Sequence, residues 1–369
     1  MINIFQPSLG EEELAAVKEV FASNWIGRGE KTTQFESNLA SVLNVSKDNV
    51  TSTSCCTNGL FALLKFLNLQ STDEVISPSI SFVGAANAVK ANGVNLVFAD
   101  VDPLSFNITV ETLKNVCTNN TKAVILIHYG GVPADLNEII SFCDSNDIIV
   151  IEDNACSPFS FYEGQSTGTI GDFGVWSFDS MKILCCGDGG LVYSKNPEDL
   201  SVIKNILYLG LDSDSGFSSK KGAWWEFSIK SFGDRHIMND ISSAIGLEQL
   251  KKVKGFISRR KEIHEMYDFH LRSTPLLLPP KIPASKNSSY YLYWVRTKDR
   301  NKLAYFLREN NIYTTFRYYP LHLIDEYGST TSCPTSDMIG KETLCLPLHQ
   351  NLSDLDVQFI VKTIKYFFK

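Results

Sequence analysis

Two stretches decide the reading of this chain: Ile149-Val150-Ile151-Glu152-Asp153-Asn154-Ala155-Cys156, and Gly174-Val175-Trp176-Ser177-Phe178-Asp179-Ser180-Met181-Lys182 with Gly187-Asp188-Gly189-Gly190-Leu191-Val192-Tyr193 close behind. The first is an apolar strand ending in two carboxylates. The second is another apolar strand, which runs into a loop carrying Lys182, a glycine cluster and a further apolar run. Polar residues at strand ends line the crevice of an open α/β sheet, so Asp153 and Lys182 are expected on one rim.

Outward from this core, short apolar runs at Val75–Ser77, Val94–Ala99, Ala123–Ile127, Ile148–Glu152, Gly174–Phe178 and Gly190–Tyr193 alternate with helical stretches such as Leu136–Ser145. That alternation predicts a mainly parallel sheet covered by helices on both faces. Upstream, apolar residues at helical spacing mark Glu11–Ala22 and Thr33–Leu43, flanking the turn Gly27-Arg28-Gly29. Thr57–Leu67 reads as an apolar helix entered from the small-residue loop Ser52–Cys56, and its N-terminus can receive an anion. Downstream come helices at Asn239–Val253 and Ser258–Leu271, a proline-rich stretch Leu276–Pro283, a strand Tyr290–Thr297, and helices Lys302–Asn310 and Asp354–Phe368. A large α/β domain over residues 1–248 and a smaller α+β domain over 249–369 are expected, with Ser213–Lys221 as a mobile polar loop.

Composition narrows the function. The 369 residues suffice for two domains with a large shared core. No run of about 18 apolar residues could span a bilayer, and Met1–Glu11 has neither the basic nor the apolar region of a secretory signal, so a cytoplasmic protein is expected. A formal charge of −7 with interspersed signs offers no stripe for a nucleic-acid backbone. Nine cysteines, an odd number, include the adjacent pairs Cys55-Cys56 and Cys185-Cys186, which lack the spacer of structural zinc sites. Free thiols and no metal are expected. Gly187-Asp188-Gly189-Gly190 leads into a strand and lacks the Gly-x-Gly-x-x-Gly spacing, which argues against a nicotinamide dinucleotide.

A carboxylate and a lysine delivered by two strands suit an aldehyde cofactor with a basic ring nitrogen. Taken singly, Lys182 could be a loop lysine, Asp153 a turn former and Phe82 plain core. Together with their surroundings they resemble the DegT/DnrJ/EryC1/StrS sugar aminotransferases. The Ser177–Lys182 loop with Gly187–Gly190 is similar to that family's lysine loop, and Glu152–Ala155 to its acidic segment. Trp25–Gly29 with Phe35-Glu36, Ser81–Val83, Asp100–Asp102, His128–Gly130, Ala244–Leu250 and Leu346–Leu348 follow in the family's order, so the resemblance spans essentially the whole chain.

The resemblance implies an aspartate-aminotransferase-like fold of type I with a seven-stranded sheet, and pyridoxal phosphate held as a Schiff base on Lys182. It implies that Asp153 partners the pyridine nitrogen, that Phe82 stacks on the ring, and that Cys56, Thr57 and Ser177 bind the phosphate. Cys156 stands near the cofactor's phenolic oxygen, where the family commonly has Gln or His, and a thiol is the poorer donor. Arg235, in Gly233–His236, would complete the phosphate site of a second subunit, which makes the protein a homodimer with shared active sites. Trp25, Tyr318 and His322 border the substrate. L-Glutamate is the implied donor and a nucleotide-linked keto-sugar, such as a 4-keto-6-deoxyhexose, the acceptor, in amino-sugar synthesis for surface polysaccharides or glycosides. The alternatives are the family's sugar dehydratases, in which histidine replaces the lysine, an aminotransferase for a non-sugar ketone, and a regulatory protein that binds the cofactor without turnover.

Overall fold

The computed structural model describes residues 1–212 and 224–369. The polar loop expected to be mobile, 213–221, lies outside the described residues. The main sheet is built from β1 (Val50–Thr53), β2 (Glu74–Pro78), β3 (Asn95–Ala99), β4 (Thr121–Ile127) and β5 (Ile149–Asp153). Two short strands, β6 (Phe161–Tyr162) and β7 (Gln165–Ser166), precede its last members, β8 (Phe173–Ser177) and β9 (Gly190–Ser194). The spatial order is β1-β9-β8-β5-β4-β2-β3. β2, β3, β4, β5 and β8 pair in parallel, whereas β9 runs antiparallel between β8 and β1. The expected seven-stranded, mainly parallel sheet is therefore present.

Burial explains the apolar runs. Every residue of β8 and β9 is buried, because helices cover both faces. Leu60, Leu63 and Leu64 of helix Cys56–Leu67 pack with Val75, Val175 and Val192 on one face. Ile139 and Cys143 of helix Leu136–Asp144 pack with Val124, Leu126 and Val150 on the other.

The two helical stretches read separately at Asn239–Val253 and Ser258–Leu271 form one helix, Asp240–Leu271. It contacts helices Glu11–Ala22 and Glu30–Leu43 as well as the C-terminal helix Asp354–Phe367. Beyond its first turn the buried positions Gln249, Val253, Phe256, Arg260, Ile263, Tyr267 and Leu271 keep helical spacing, but Lys251, Lys252, Lys254 and Gly255 interrupt the apolar signal, which is why the pattern reads as two pieces. The junction expected between residues 248 and 249 lies inside this helix. At the C-terminal end, β10 (Lys286–Asn287) pairs with β6, while β11 (Tyr293–Arg296) pairs with β12 (Thr343–Leu346). Helices Arg300–Glu309 and Asp354–Phe367 close a core there of Tyr293, Val295, Leu303, Leu307, Leu344 and Ile360.

Register fixes the rim on which chemistry can be built. Asp153 lies beside Ile127 of β4 and Val175 of β8, and Gly190 sits between Ser177 and Thr53. A Cβ on Gly190 would stand 2.6 Å from the Cys56 nitrogen. Only glycine lets the start of helix Cys56–Leu67 come this close to the sheet edge.

Candidate active site

At the C-terminal ends of β5 and β8 lies a cavity of about 230 Å³, lined by Cys56, Thr57, Phe82, Asp153, Cys156, Ser177, Lys182 and Tyr318 among others. Eight of the residues expected at the site are thus brought together. The other three do not line it. Trp25 is 61% exposed, and its indole N–H donates to the Arg28 carbonyl at 3.0 Å. The His322 side chain is buried, with Nδ1 2.6 Å from Ser79 Oγ and Nε2 3.2 Å from Asp337 Oδ1, so it braces the loop before Phe82. Arg235 is exposed, and its guanidinium lies 5.8 Å from the Tyr208 ring centre.

Asp153 ends β5, and its Oδ1 accepts the Ala155 N–H at 2.9 Å. Burial pushes its carboxyl above the usual range, and the Ala155 N–H, Lys182 and His128 only partly offset this. The residue beneath it is anchored without exposure. Glu152 accepts the N–H groups of Gly168, Ile170 and Gly171 at 2.8, 2.8 and 2.7 Å, and lies 2.9 Å from His128 Nε2. Because the Ala134 N–H donates to His128 Nδ1 at 3.1 Å, the imidazole proton must sit on Nε2, pointing at Glu152. Sequence reasoning had assigned no role to this network.

Lys182 follows the turn Ser177–Met181, in which Met181 N–H donates to Asp179 Oδ1 at 2.9 Å and Lys182 N–H to the Asp179 carbonyl at 2.9 Å. Its amine lies 4.9 Å from the Tyr291 ring centre. Burial opposes the ammonium form, but Tyr291, Cys156, Asp153 and Cys56 outweigh it, and the net direction is upward. The Cys156 thiol sits 3.5 Å from the Tyr318 hydroxyl, and burial pushes its pKa up.

These residues fit pyridoxal phosphate. The amine and the raised carboxyl of Asp153 face one cavity, and the N-terminus of a 12-residue helix opens onto it with Cys56 and Thr57 in its first turn. Gly84 leaves a recess beside them, since a Cβ there would stand 3.1 Å from Thr57 Oγ1 and 3.5 Å from Phe82 Cδ1. Phe82, 53% exposed, presents its ring at the cavity edge, 5.8 Å from that of Tyr318. Among the described residues no cluster of His, Cys, Asp and Glu could hold a metal, and no helix is long and apolar enough to cross a membrane. Each of the nine cysteines is a free thiol.

A model of the DegT/DnrJ/EryC1/StrS aminotransferase family matches residues 7–365. The chain is 43% identical to the dTDP-4-dehydro-2,3,6-trideoxy-D-glucose 4-aminotransferase of Saccharopolyspora spinosa, with 98% of this chain and 95% of that protein covered. The crystal structure of the aminotransferase TlmJ from Streptoalloteichus hindustanus superposes with a TM-score of 0.95 at 46% identity, covering 99% of this chain and 98% of that one. Helicobacter pylori PseC, an aminotransferase involved in the biosynthesis of pseudoaminic acid, superposes with a TM-score of 0.92 at 25% identity, covering 100% and 99%.

Proposed function

Because this chain belongs to the DegT/DnrJ/EryC1/StrS aminotransferase family, we propose that it moves the amino group of L-glutamate to C4 of a nucleotide-linked 4-keto-deoxyhexose. Its cofactor is pyridoxal phosphate. The observation that carries the reading is the pairing of Lys182 and Asp153 across one cavity from the ends of β5 and the loop after β8. The kinship with a 4-aminotransferase at 43% identity supports the acceptor.

Pyridoxal phosphate supplies an aldehyde that captures the donor amine and a protonated ring that accepts the electrons released at the amino carbon. The protein does the rest. Asp153 keeps a proton on the ring nitrogen, Phe82 covers a ring face, and the Cys56-Thr57 helix start with Ser177 holds the phosphate. The Lys182 amine would move the proton from the donor's amino carbon to the cofactor's C4′ in the first half-reaction, and from C4′ to the acceptor carbon in the second. A lysine at this position, where the dehydratase branch has histidine, supports transfer over dehydration.

The active enzyme is read as a cytoplasmic homodimer. Exposed Phe227, Ile229 and Phe232 at 72%, 62% and 89% lie just before the Gly233–His236 loop, and such apolar exposure suits burial by a second copy. That packing brings Arg235 to the partner's phosphate site.

The test supplies purified holoenzyme with L-glutamate and dTDP-4-dehydro-2,3,6-trideoxy-D-glucose and follows the aminated nucleotide sugar by mass spectrometry. A product that requires both substrates is expected. Amination of simple ketones but of no nucleotide keto-sugar would overturn the acceptor assignment.

A further inference from the structure

The ring of Tyr291 is fully buried, and the Lys182 amine stands over it, 4.9 Å from the ring centre. Three contacts fix the setting of that ring. Phe5 stacks on it at 5.4 Å with 19° between planes, the Tyr291 N–H donates to the Gly130 carbonyl at 2.9 Å, and its carbonyl accepts from Arg260 Nη1 at 3.4 Å. Phe5 is itself covered by the Arg317 guanidinium, 4.5 Å from its ring centre. The Tyr291 hydroxyl meets no hydrogen-bond partner among the described residues. Burial pushes its pKa up, so at neutral pH the ring is uncharged. What its neighbours engage is therefore the ring and not the hydroxyl.

The reaction gives Lys182 a use for such a neighbour. Its amine leaves the cofactor when the donor arrives, takes the proton from the donor's amino carbon, and gives it up at C4′. One N–H bond forms and then breaks as one C–H bond breaks and another forms, and the electron pair passes through the cofactor ring. Between the two transfers an ammonium stands in a buried cavity, where burial disfavours charge. Asp153 favours the ammonium through its charge but makes no ion pair with it. A carboxylate in contact would hold the proton back, since an adjacent opposite charge favours the charged form. The face of an aromatic ring attracts an ammonium more weakly and carries no net charge.

We infer that Tyr291 is a positioning residue for the catalytic lysine, its ring face holding the Lys182 ammonium at the cavity between taking the proton and giving it up. The inference rests on the aminotransferase reading above and deepens it. Phe5, from the N-terminal segment, belongs to the same device, because its stacking sets the plane of the Tyr291 ring.

The test compares wild type, Tyr291→Phe, and the protein carrying pentafluorophenylalanine at the same position. The fluorinated ring keeps the shape of phenylalanine and reverses the sign of its face. Each protein is loaded with pyridoxamine phosphate, which leaves Lys182 free and requires no turnover. The pH dependence of Lys182 acylation by trace acetic anhydride is then read by peptide mass spectrometry. Asp153, Cys56 and Cys156 also act on the amine, and Arg317 lines the cavity, but these are identical in all three proteins, so a difference belongs to the ring. Tyr291→Phe is expected to keep the wild-type midpoint within about 0.3 pH unit, and the fluorinated protein to fall about one unit below it, a tenfold change. Its kcat should be about tenfold below that of Tyr291→Phe, at unchanged donor KM. Equal midpoints, or equal kcat, in those two proteins overturn the inference. A wild type that transaminates no substrate would instead sink the aminotransferase reading, and the midpoints would still decide whether the ring holds the ammonium.

Discussion

Replacing Glu152 by Gln changes one oxygen into an NH2 group and removes almost no volume. Glu152 is fully buried, and its Oε1 accepts from Ile170 and Gly171 while Oε2 accepts from Gly168 and faces the His128 Nε2–H. Whichever side receives the NH2, two donors then face a donor. His128 cannot relieve the conflict by moving its proton to Nδ1, because Nδ1 already accepts the Ala134 N–H. Each buried donor left unpaired costs about 1–3 kcal/mol, so the substitution should cost roughly 2–6 kcal/mol. With an unfolding entropy of about 2.1 cal/mol/K per residue over 369 residues, this corresponds to a fall in Tm of about 3–8 °C. The assay is thermal unfolding of wild type and Glu152→Gln at equal concentration with saturating cofactor. Because Glu152 immediately precedes Asp153 on β5, kcat should fall as well, with little change in KM. An unchanged Tm would refute the network as an anchor of the site.

Asp153→Asn should slow both half-reactions about 100-fold, because a neutral amide does not hold a proton on the ring nitrogen; stopped-flow absorbance with donor and with aminated sugar checks each half, and unaltered rates would remove Asp153 from its role. Burial, with Arg260 adding to it, holds His349 down to about 4 from its ordinary 6.5. A depressed histidine contributes stability in full above about pH 6.5 that is lost as the pH falls toward 4, and the 2.5-unit gap corresponds to about 3 kcal/mol. Urea unfolding of wild type should weaken through that window, whereas His349→Phe should lose about 3 kcal/mol less across it; parallel curves would contradict the assignment. Gly174→Ala would put a Cβ 2.0 Å from the Gly168 carbonyl oxygen, backbone that cannot turn aside, so it should destabilise by about 3 kcal/mol or more, read from the urea midpoint.

Six strands of the main sheet were legible as short apolar runs between helices, the inner ones buried on both faces, whereas β1, Val50–Thr53, carries three hydroxyl residues and gives no such run. Lys182 and Asp153 were legible because they stand at the ends of such runs. The Glu152 network was not: its partners are backbone N–H groups at residues 168–171 and a histidine 24 positions upstream, and backbone donors leave no residue-type signal. Arg317 lines the cavity as well and escaped notice because no motif marks it, and only the folded neighbourhood brings it to Lys182. Trp25 and His322 were expected at the substrate, but a short motif does not say which side of its turn faces the cavity. His322 turns to Ser79 and Asp337, and the Trp25 indole folds back on Arg28.

Borohydride reduction of the cofactor-loaded protein, followed by peptide mass spectrometry, tests the central claim most directly. The account predicts a phosphopyridoxyl label on Lys182, absent from Lys182→Ala and largely prevented when L-glutamate is added before reduction. A label on another lysine, or one on Lys182 that no amino donor diminishes, would contradict it.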